Sequence, residues 1–303
     1  MERSKWIAMH KDGIGGTDAV AIVGESPWKT PYQVWLEKRG EVFEDQGQNE
    51  RMYWGQQLEP LIRQQYADLT GYDVVVPDDV IIHPKYPWII GTPDGIVQND
   101  RVFEAKTARR DQGWGDPGTD QIPDMYRVQV EHYMLLTELD RADVAVLIGG
   151  SDFRIYNVHA DPELQQVLFT KEQAFWNMVQ KGIPPEITTY ADARLRWGSR
   201  SEPKRVQVDL DCAEALANLH DLADMKRKEE EWKAIVMKKL GEADTLVDGE
   251  IVLATWKLSK ASARFDQKAF QTEHPDLYKQ FVREGKPSRR FLLKTELKTE
   301  RTV

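Results

Sequence analysis

The pattern of apolar and polar positions predicts a β-hairpin between Asp94 and Lys106. A short apolar strand, a polar turn and a second strand fall at residues 96–97, 98–101 and 102–106. Because successive side chains of a strand point to opposite faces, Glu104 and Lys106 are expected on one face and Phe103 and Ala105 on the other. The hairpin therefore carries two charged groups on one face, close in the chain to the aspartate that precedes it.

Apolar residues that recur at helical spacing predict helices along the rest of the chain. The helices are expected at 19–24, 31–40, 50–70, 124–138, 161–181, 209–240 and 267–284, the last interrupted by His274-Pro275. Further strands are expected at 72–76, 80–83, 142–148, 153–158, 251–258 and 289–294. Thr17 or Asp18 is the expected N-cap of the first helix, and Thr30 that of the second.

Composition places the chain among globular proteins, with 41% hydrophobic and 30% charged residues. Its 303 residues can form one large domain with an appendage, or two domains. No run approaches the roughly 18 apolar residues of a membrane span, and the start lacks the apolar core of a signal peptide. The single cysteine, Cys212, excludes a disulfide framework and Cys-based zinc or iron–sulfur sites, and it fits a reducing cytoplasm.

Charge is distributed unevenly along the chain. The net charge of −9 by itself argues against nucleic acid as a partner. The acidic excess lies in residues 1–204, however, whereas residues 255–303 carry twelve Lys and Arg against six Asp and Glu. An acidic region followed by a basic tail is compatible with a metal-dependent enzyme that acts on a polyanion.

Three charged residues of the hairpin region are candidates for chemistry. Asp94 and Glu104 offer two carboxylates, which suit a hard divalent cation such as Mg2+ or Mn2+. Lys106 adds a positive charge that can orient a water or stabilise a developing phosphate charge. The alternative is a solvated hairpin face with a weak cross-strand ion pair. These three residues alone give both interpretations equal weight, and the framing Pro, Gly and apolar residues favour the metal site.

Two other segments and one helix carry further candidates. The glycine-rich turn at 13–17 opens a helix, and it either only caps that helix or also binds a phosphate through backbone N–H groups. A long irregular segment at 107–123 contains residue types that contact phosphates and bases, namely Arg109, Arg110 and Trp114. Glu59 lies one step off the apolar stripe of its helix, where an ordinary polar position is the simpler explanation.

Several motifs occur in order along residues 6–150. They are Gly13-Ile-Gly-Gly-Thr17-Asp-Ala, Trp54-Gly-Gln-Gln-Leu-Glu59-Pro, Gly91-Thr-Pro-Asp94-Gly, Glu104-Ala-Lys106 and Gln129-Val-Glu-His-Tyr133. Together they resemble the PD-(D/E)xK nucleases and, within them, the lambda-exonuclease-like YqaJ-type viral recombinase family. The resemblance thins out after about residue 190.

The resemblance implies a fold class and a domain organisation. The fold would be α/β (α+β), with a restriction-endonuclease-like core in which helices flank a central mixed sheet, plus a C-terminal helical and β extension. The nuclease core is then expected at 1–190, a linker at 191–208 and the extension at 209–303.

The resemblance also implies roles for the matching residues of the hairpin. Asp94 and Glu104 would be metal ligands, with the Ala105 backbone carbonyl as a third donor and Mg2+ as the cofactor, for which Mn2+ could substitute. Lys106 would position the attacking water, and Gln129 would support that nucleophile.

Residues outside the hairpin complete the implied site. Glu59 would assist a second metal ion. Thr17 matches a family serine that touches the 5′-phosphate of DNA. The family has an arginine seven residues earlier, where this chain has His10, a departure from the pattern. His10, or Lys11 beside it, would take the place of that arginine at the 5′-phosphate.

The function implied by the resemblance is that of a Mg2+-dependent 5′→3′ exonuclease. It would degrade one strand of linear duplex DNA and leave 3′ single-stranded tails for phage-type recombination. An endonuclease or single-strand nuclease is an alternative, because the core chemistry does not encode polarity. A non-catalytic DNA-binding accessory protein would need a degenerate triad, and all three residues are present.

The implied partners are double-stranded DNA ends, further copies of the chain in a toroidal trimer, and a single-strand annealing protein. No membrane partner is expected. The implied setting is the cytoplasm of a bacterial host, with a phage or prophage as the source.

Overall fold

A computed structural model describes residues 11–41, 50–199, 201–285 and 287–293. The chain divides into two compact units, residues 1–195 and 196–303. A helix occupies Tyr190–Trp197, part of the segment expected to be a linker. The domain boundaries expected at 190 and 208 stay a prediction. In the described part of the chain, no helix is both long and apolar enough to cross a membrane.

The first unit alternates helices and strands. In chain order these are α1 (Gly16–Val23), α2 (Pro31–Arg39), α3 (Glu50–Thr70), β1 (Val74–Val75), β2 (Ile81–Ile82), β3 (Ile90–Gly91), β4 (Gly95–Val97), β5 (Arg101–Ala108), α4 (Asp124–Thr137), β6 (Arg141–Ile148), β7 (Asp152–His159), α5 (Pro162–Lys181) and α6 (Tyr190–Trp197). The helices expected from apolar spacing are confirmed to within a few residues.

Helix ends follow local capping chemistry, with one correction. The Thr30 side chain accepts a hydrogen bond from the Gln33 N–H at 3.2 Å, which confirms the expected cap of α2. The expected cap of α1 at Thr17 or Asp18 is wrong, because the N-cap is Gly15 and the helix already begins at Gly16. The carboxylate of Asp18 reaches back to accept from the Gly15 N–H at 3.0 Å.

A five-stranded mixed sheet forms the centre of this unit, in the order β1-β4-β5-β6-β7. The pair β5–β6 is parallel, and the other neighbours are antiparallel. The apolar strand β6 lies in the interior of the sheet, as its composition predicts. The predicted fold class, a central mixed sheet flanked by helices, is confirmed.

Helices cover both faces of the sheet. On one face, Val130 and Met134 of α4 pack against Val102, Val144 and Val146 of the strands. On the other face, the apolar side of α3 packs against the sheet through Ile62, Tyr66, Val97, Phe103 and Ala145. The alternation along β5 therefore directs its even-numbered residues towards α4 and its odd-numbered residues towards α3.

The second unit contains α7 (Leu210–Leu240), a hairpin of β8 (Thr245–Asp248) and β9 (Ile251–Thr255), α8 (Gln267–Glu273) and α9 (Pro275–Phe281). The apolar side chains of α7 were expected to form a packing surface, yet Leu222 is 60% exposed and Trp232 53% exposed. The strand expected at 289–294 is wrong for its described part, because residues 289–293 have no strand structure.

Candidate functional site

The predicted hairpin is present as β4 and β5. Gly95 pairs with Phe103, and Val97 pairs with Arg101. Gln98 and Asn99 form the turn with φ values of 50° and 58°. Two successive residues in the left-handed region are the geometry that connects two antiparallel strands with the normal twist. The turn therefore fixes the register that places Asp94 beside the second strand.

Asp94 and Glu104 lie next to each other at the start of this hairpin. The Asp94 carboxylate accepts a 2.8 Å hydrogen bond from the Ala105 N–H, so it is held against the strand that carries Glu104. On the other side of β4, the edge strand β1 can pack this closely only because position 95 is glycine. A Cβ there would lie 2.2 Å from Cγ1 of Val74 on the edge strand.

Lys106 lies between a carboxylate and an amide. Its ammonium donates to the Glu104 carboxylate and, at 3.0 Å, to Oε1 of Gln129 on α4. It also lies 5.0 Å from the centre of the Tyr126 ring. The Gln129 amide in turn donates to the Tyr133 hydroxyl at 3.3 Å. Three contacts, with Glu104, Gln129 and Tyr126, therefore fix the position of the Lys106 ammonium.

Burial and mutual charge shift the pKa values of the acids and the lysine in this cluster. Burial first, and the charge of Asp94 second, raise the pKa of Glu104. Burial also raises the pKa of Asp94, although Lys106 and the Ala105 N–H oppose the shift. Burial alone would lower the pKa of Lys106, but the two carboxylates outweigh it and raise that pKa. One ammonium thus serves the buried carboxylate of Glu104 and the partly buried carboxylate of Asp94, and the remaining negative charge favours a proton or a further cation.

Glu59 of α3 is linked to the hairpin by the side chain of an arginine. Nη1 of Arg63, one helical turn further along α3, donates to Glu59 at 3.1 Å and to the Asp94 backbone carbonyl at 3.0 Å. Burial and the charge of Asp94 raise the pKa of Glu59. Arg63 therefore connects the helix that carries the third acid to the aspartate of the hairpin.

The donor set fits a magnesium ion that keeps part of its water shell. In residues 11–41, 50–199, 201–285 and 287–293, no three Asp, Glu, His or Cys side chains group together as metal ligands. Mg2+ in enzymes commonly takes one or two carboxylates and completes its octahedron with water and substrate oxygens. Oε2 of Glu104 is buried and has no hydrogen-bond partner, so one ligand oxygen is available in this cluster.

The glycine-rich turn lies against the same cluster. A Cβ at Gly16 would come within 2.8 Å of the Tyr133 ring and 3.0 Å of the Gln129 side chain. Thr17 follows as the exposed residue in the otherwise buried first turn of α1. Behind it, Asp18 pairs with the buried ammonium of Lys38 at 2.5 Å. The structure thus brings Thr17 to the border of the cluster.

The residues expected to contact DNA elsewhere have different surroundings. Arg109 and Arg110 are exposed, as that role requires. The DNA contact expected of Trp114 is wrong. Its side chain is only 8% exposed, and its ring centre lies 5.5 Å from that of Tyr126 and 5.2 Å from that of Tyr156. A ring held in this way belongs to the core and cannot stack on a base. The ammonium of Lys11 lies near Gly40 at the end of α2, and His10 lies outside the described residues.

Sequence reasoning missed several members of the cluster. Arg63 follows Glu59 at helical i,i+4 spacing, and Tyr126 precedes Gln129 by about one turn, so spacing alone could have suggested both. His132 is fully buried and contacts Glu172 of α5 at 2.9 Å. That ion pair joins residues forty positions apart, and no local pattern signals it.

A family of known proteins matches most of this chain. The family model of the YqaJ-like viral recombinase domain matches residues 5–140. The uncharacterized protein YqaJ of Bacillus subtilis (strain 168) is 30% identical over 298 residues, which cover 94% of this chain and 92% of that protein. The chain therefore belongs to the YqaJ family.

Solved structures provide a further comparison. The alkaline exonuclease LHK-Exo from Laribacter hongkongensis shares 18% identity over 59% of this chain and 94% of that chain, with a TM-score of 0.49. A phage-related exonuclease from Haemophilus somnus 129PT shares 14% identity over 56% and 95% of the two chains, with a TM-score of 0.40.

Proposed function

We propose that the chain is a Mg2+-dependent 5′→3′ exonuclease that acts on linear double-stranded DNA. The observation that carries the proposal is the convergence of Asp94, Glu104, Lys106 and Gln129, with one buried carboxylate oxygen left without a partner. Membership of a family of viral recombinase domains supports DNA as the substrate. The products would be 3′ single-stranded tails for phage-type recombination.

Three donors of the hairpin would hold the cation. Asp94 and Glu104 supply carboxylate oxygens, and the Ala105 carbonyl between the strand's acid and its lysine supplies a neutral oxygen. When bound, Mg2+ or Mn2+ lowers the pKa of a coordinated water and stabilises the charge on the leaving oxygen. Glu59, connected to Asp94 by Arg63, would assist a second ion.

Lys106 and Gln129 would position the attacking water. A lysine whose pKa is raised stays protonated at neutral pH, so it acts as a hydrogen-bond donor and a positive charge and not as a base. The Gln129 amide is fixed between the ammonium and the Tyr133 hydroxyl, which leaves little freedom for either side chain. Both groups can therefore orient a water before the phosphate arrives.

The 5′→3′ direction rests on the border of the cluster. Thr17 is exposed at the first turn of α1, where backbone N–H groups and a hydroxyl can bind a terminal phosphate. We expect linear duplex with 5′-phosphates to be digested faster than the same duplex after phosphatase treatment. Thr17→Val, which keeps the shape but removes the hydroxyl, should reduce that difference. Equal digestion rates on phosphorylated and dephosphorylated duplex would contradict the proposed phosphate pocket.

The alternatives differ in the substrates that they cut. An exonuclease leaves covalently closed circular DNA intact, whereas an endonuclease on the same core nicks it. A nuclease specific for single strands leaves blunt duplex intact. Complete absence of cleavage, with retained DNA binding, would instead indicate a recombination accessory protein.

The family resemblance also supports an assembly. We propose a ring of three copies around the duplex, which would act together with a single-strand annealing protein. A monomeric mass in solution at working concentrations would contradict the ring.

A further inference from the structure

The second unit contains a segment that combines exposed rings with positive charge, residues 256–268. Lys257, Lys260, Arg264 and Lys268 occur here with one acid, Asp266, in a chain whose net charge is −9. Asp266 is already engaged, because its carboxylate caps α8 by accepting from the Ala269 N–H at 2.9 Å. The four cations are exposed. We call residues 256–268 the basic strip.

Two aromatic side chains stand at the two ends of the irregular part of the basic strip. Trp256 is 50% exposed, and its N–H donates to the Asp244 carbonyl at 2.8 Å, which fixes its backbone to the hairpin. Phe265 is 73% exposed, and one side of its ring rests 4.9 Å from the ring of Phe270 in α8. Trp256 is thus fixed through its backbone and Phe265 through a ring contact, and both rings still present surface to solvent.

The backbone between these rings has no helix or strand structure from 256 to 266. An irregular segment does not present the regular element that usually enters the major groove of a duplex. Exposed rings, by contrast, stack on bases only where the bases are unpaired. Phe265 and Lys268 line one shallow depression with Arg264, and a second one continues past Phe265 to Tyr278 and Phe281.

We propose that the basic strip binds single-stranded DNA, with Trp256 and Phe265 stacking on bases and Lys257, Lys260 and Arg264 contacting phosphates. This proposal rests on the proposed function, because the strand left by digestion of a duplex is the ligand that it names. A solvated basic surface would explain the cations but not the two exposed rings at the ends of the segment that carries them. An acidic protein partner is the competing occupant, and the test separates it.

The test measures fluorescence anisotropy of a labelled thymidine oligonucleotide of about 20 nucleotides with the full-length protein in EDTA. Each ring removed, as Trp256→Ala or Phe265→Ala, should weaken binding by about 5- to 150-fold. Replacing Lys257, Lys260 and Arg264 together by Ala should lower the slope of log K against log salt by about 2, at about 0.7 per phosphate contact.

The matched control replaces three exposed cations of the same unit, Lys226, Arg227 and Lys228 of α7, by Ala. This control should bind the oligonucleotide like wild type. An excess of blunt duplex should compete poorly with the oligonucleotide. Wild-type affinity in both sets of strip variants, or an equal loss in the control, would overturn the proposal and leave a protein partner as the occupant.

A second readout keeps this test separate from the proposed function. The strip variants should still shorten an end-labelled duplex in Mg2+, because the strip holds none of the hairpin residues. If wild type binds the oligonucleotide through the strip but cuts no duplex, the nuclease proposal fails and the strip proposal stands. If wild type cuts duplex but the strip variants bind the oligonucleotide normally, the strip proposal fails and the nuclease proposal stands.

Discussion

The buried pair of His132 and Glu172 gives a sharp prediction about what holds the candidate site together. Nδ1 of His132 lies 2.9 Å from Oε1 of Glu172, and Nε2 lies 2.9 Å from the Ile90 carbonyl. Both neighbours are hydrogen-bond acceptors, and a neutral imidazole has only one N–H. We therefore expect an imidazolium here, which ties α4, the helix that carries Gln129, to α5 and to β3, the strand that precedes Asp94.

The perturbation is His132→Gln, which removes the charge but keeps a donor. Both side chains of the pair are 0% exposed, so the substitution removes the cationic partner of Glu172 inside the core. Losing one partner of a buried ion pair costs about 3–5 kcal/mol. The double variant His132→Gln/Glu172→Gln has no buried charge and should recover most of that loss. Urea unfolding of wild type, His132→Gln, Glu172→Gln and the double variant at fixed Mg2+ gives the coupling energy.

The same pair predicts a pH dependence with a definite sign. Burial alone would lower the pKa of His132, but Glu172 and the Ile90 carbonyl outweigh it and raise that pKa above its ordinary value. A raised histidine pKa stabilises the fold fully below the unfolded value of about 6.5, and the contribution disappears as pH rises through the folded pKa. The stability difference between wild type and His132→Gln should therefore shrink as pH rises above neutrality. A difference that is constant with pH, or a double variant as unstable as the single one, would refute a charged pair.

Three other substitutions test separate contacts. Arg63→Met removes both hydrogen bonds of that side chain. It should slow cleavage by about 10- to 100-fold without lowering the melting temperature, since partners of metal ligands typically contribute that much. An unchanged cleavage rate would contradict the positioning role of Arg63. Gly95→Ala places a Cβ against Val74 and should destabilise the fold by about 1–3 kcal/mol in urea unfolding, and unchanged stability would show that the edge strand yields freely. Trp114→Ala should cost about 3–5 kcal/mol of unfolding free energy, whereas a loss of DNA affinity alone would restore the surface role first expected of it.

Local sequence patterns predicted the hairpin and the helices around it. Alternation along the second strand correctly separated Glu104 and Lys106 from Phe103, because a sheet covered on both faces needs that period. The end of α2 at Gly40 followed from a residue that adopts a φ of 67° at no steric cost. Such features depend on residues that are close together in the chain, so the local sequence is sufficient to predict them.

The parts that could not be predicted depend on tertiary contacts. Trp114 looks like an exposed loop residue until Tyr156, from a distant strand, closes over it. Arg63 acquires a role only when α3 packs on the sheet and brings it to the Asp94 carbonyl. The N-cap of α1 lies at Gly15, and the next residue, Gly16, packs so closely on Tyr133 of α4 that a Cβ would come within 2.8 Å of the ring. In each case, packing decides what local propensity leaves open.

If the hairpin cluster hydrolyses DNA, removing the Lys106 ammonium should abolish digestion of linear duplex. The measurement follows the release of a label from each 5′ end in Mg2+, for wild type, Lys106→Ala and the control Lys171→Ala, which removes an exposed lysine of α5. We predict that wild type and the control release the label only when Mg2+ is present, and that Lys106→Ala, although folded, releases none. Release by Lys106→Ala at the wild-type rate would contradict the account.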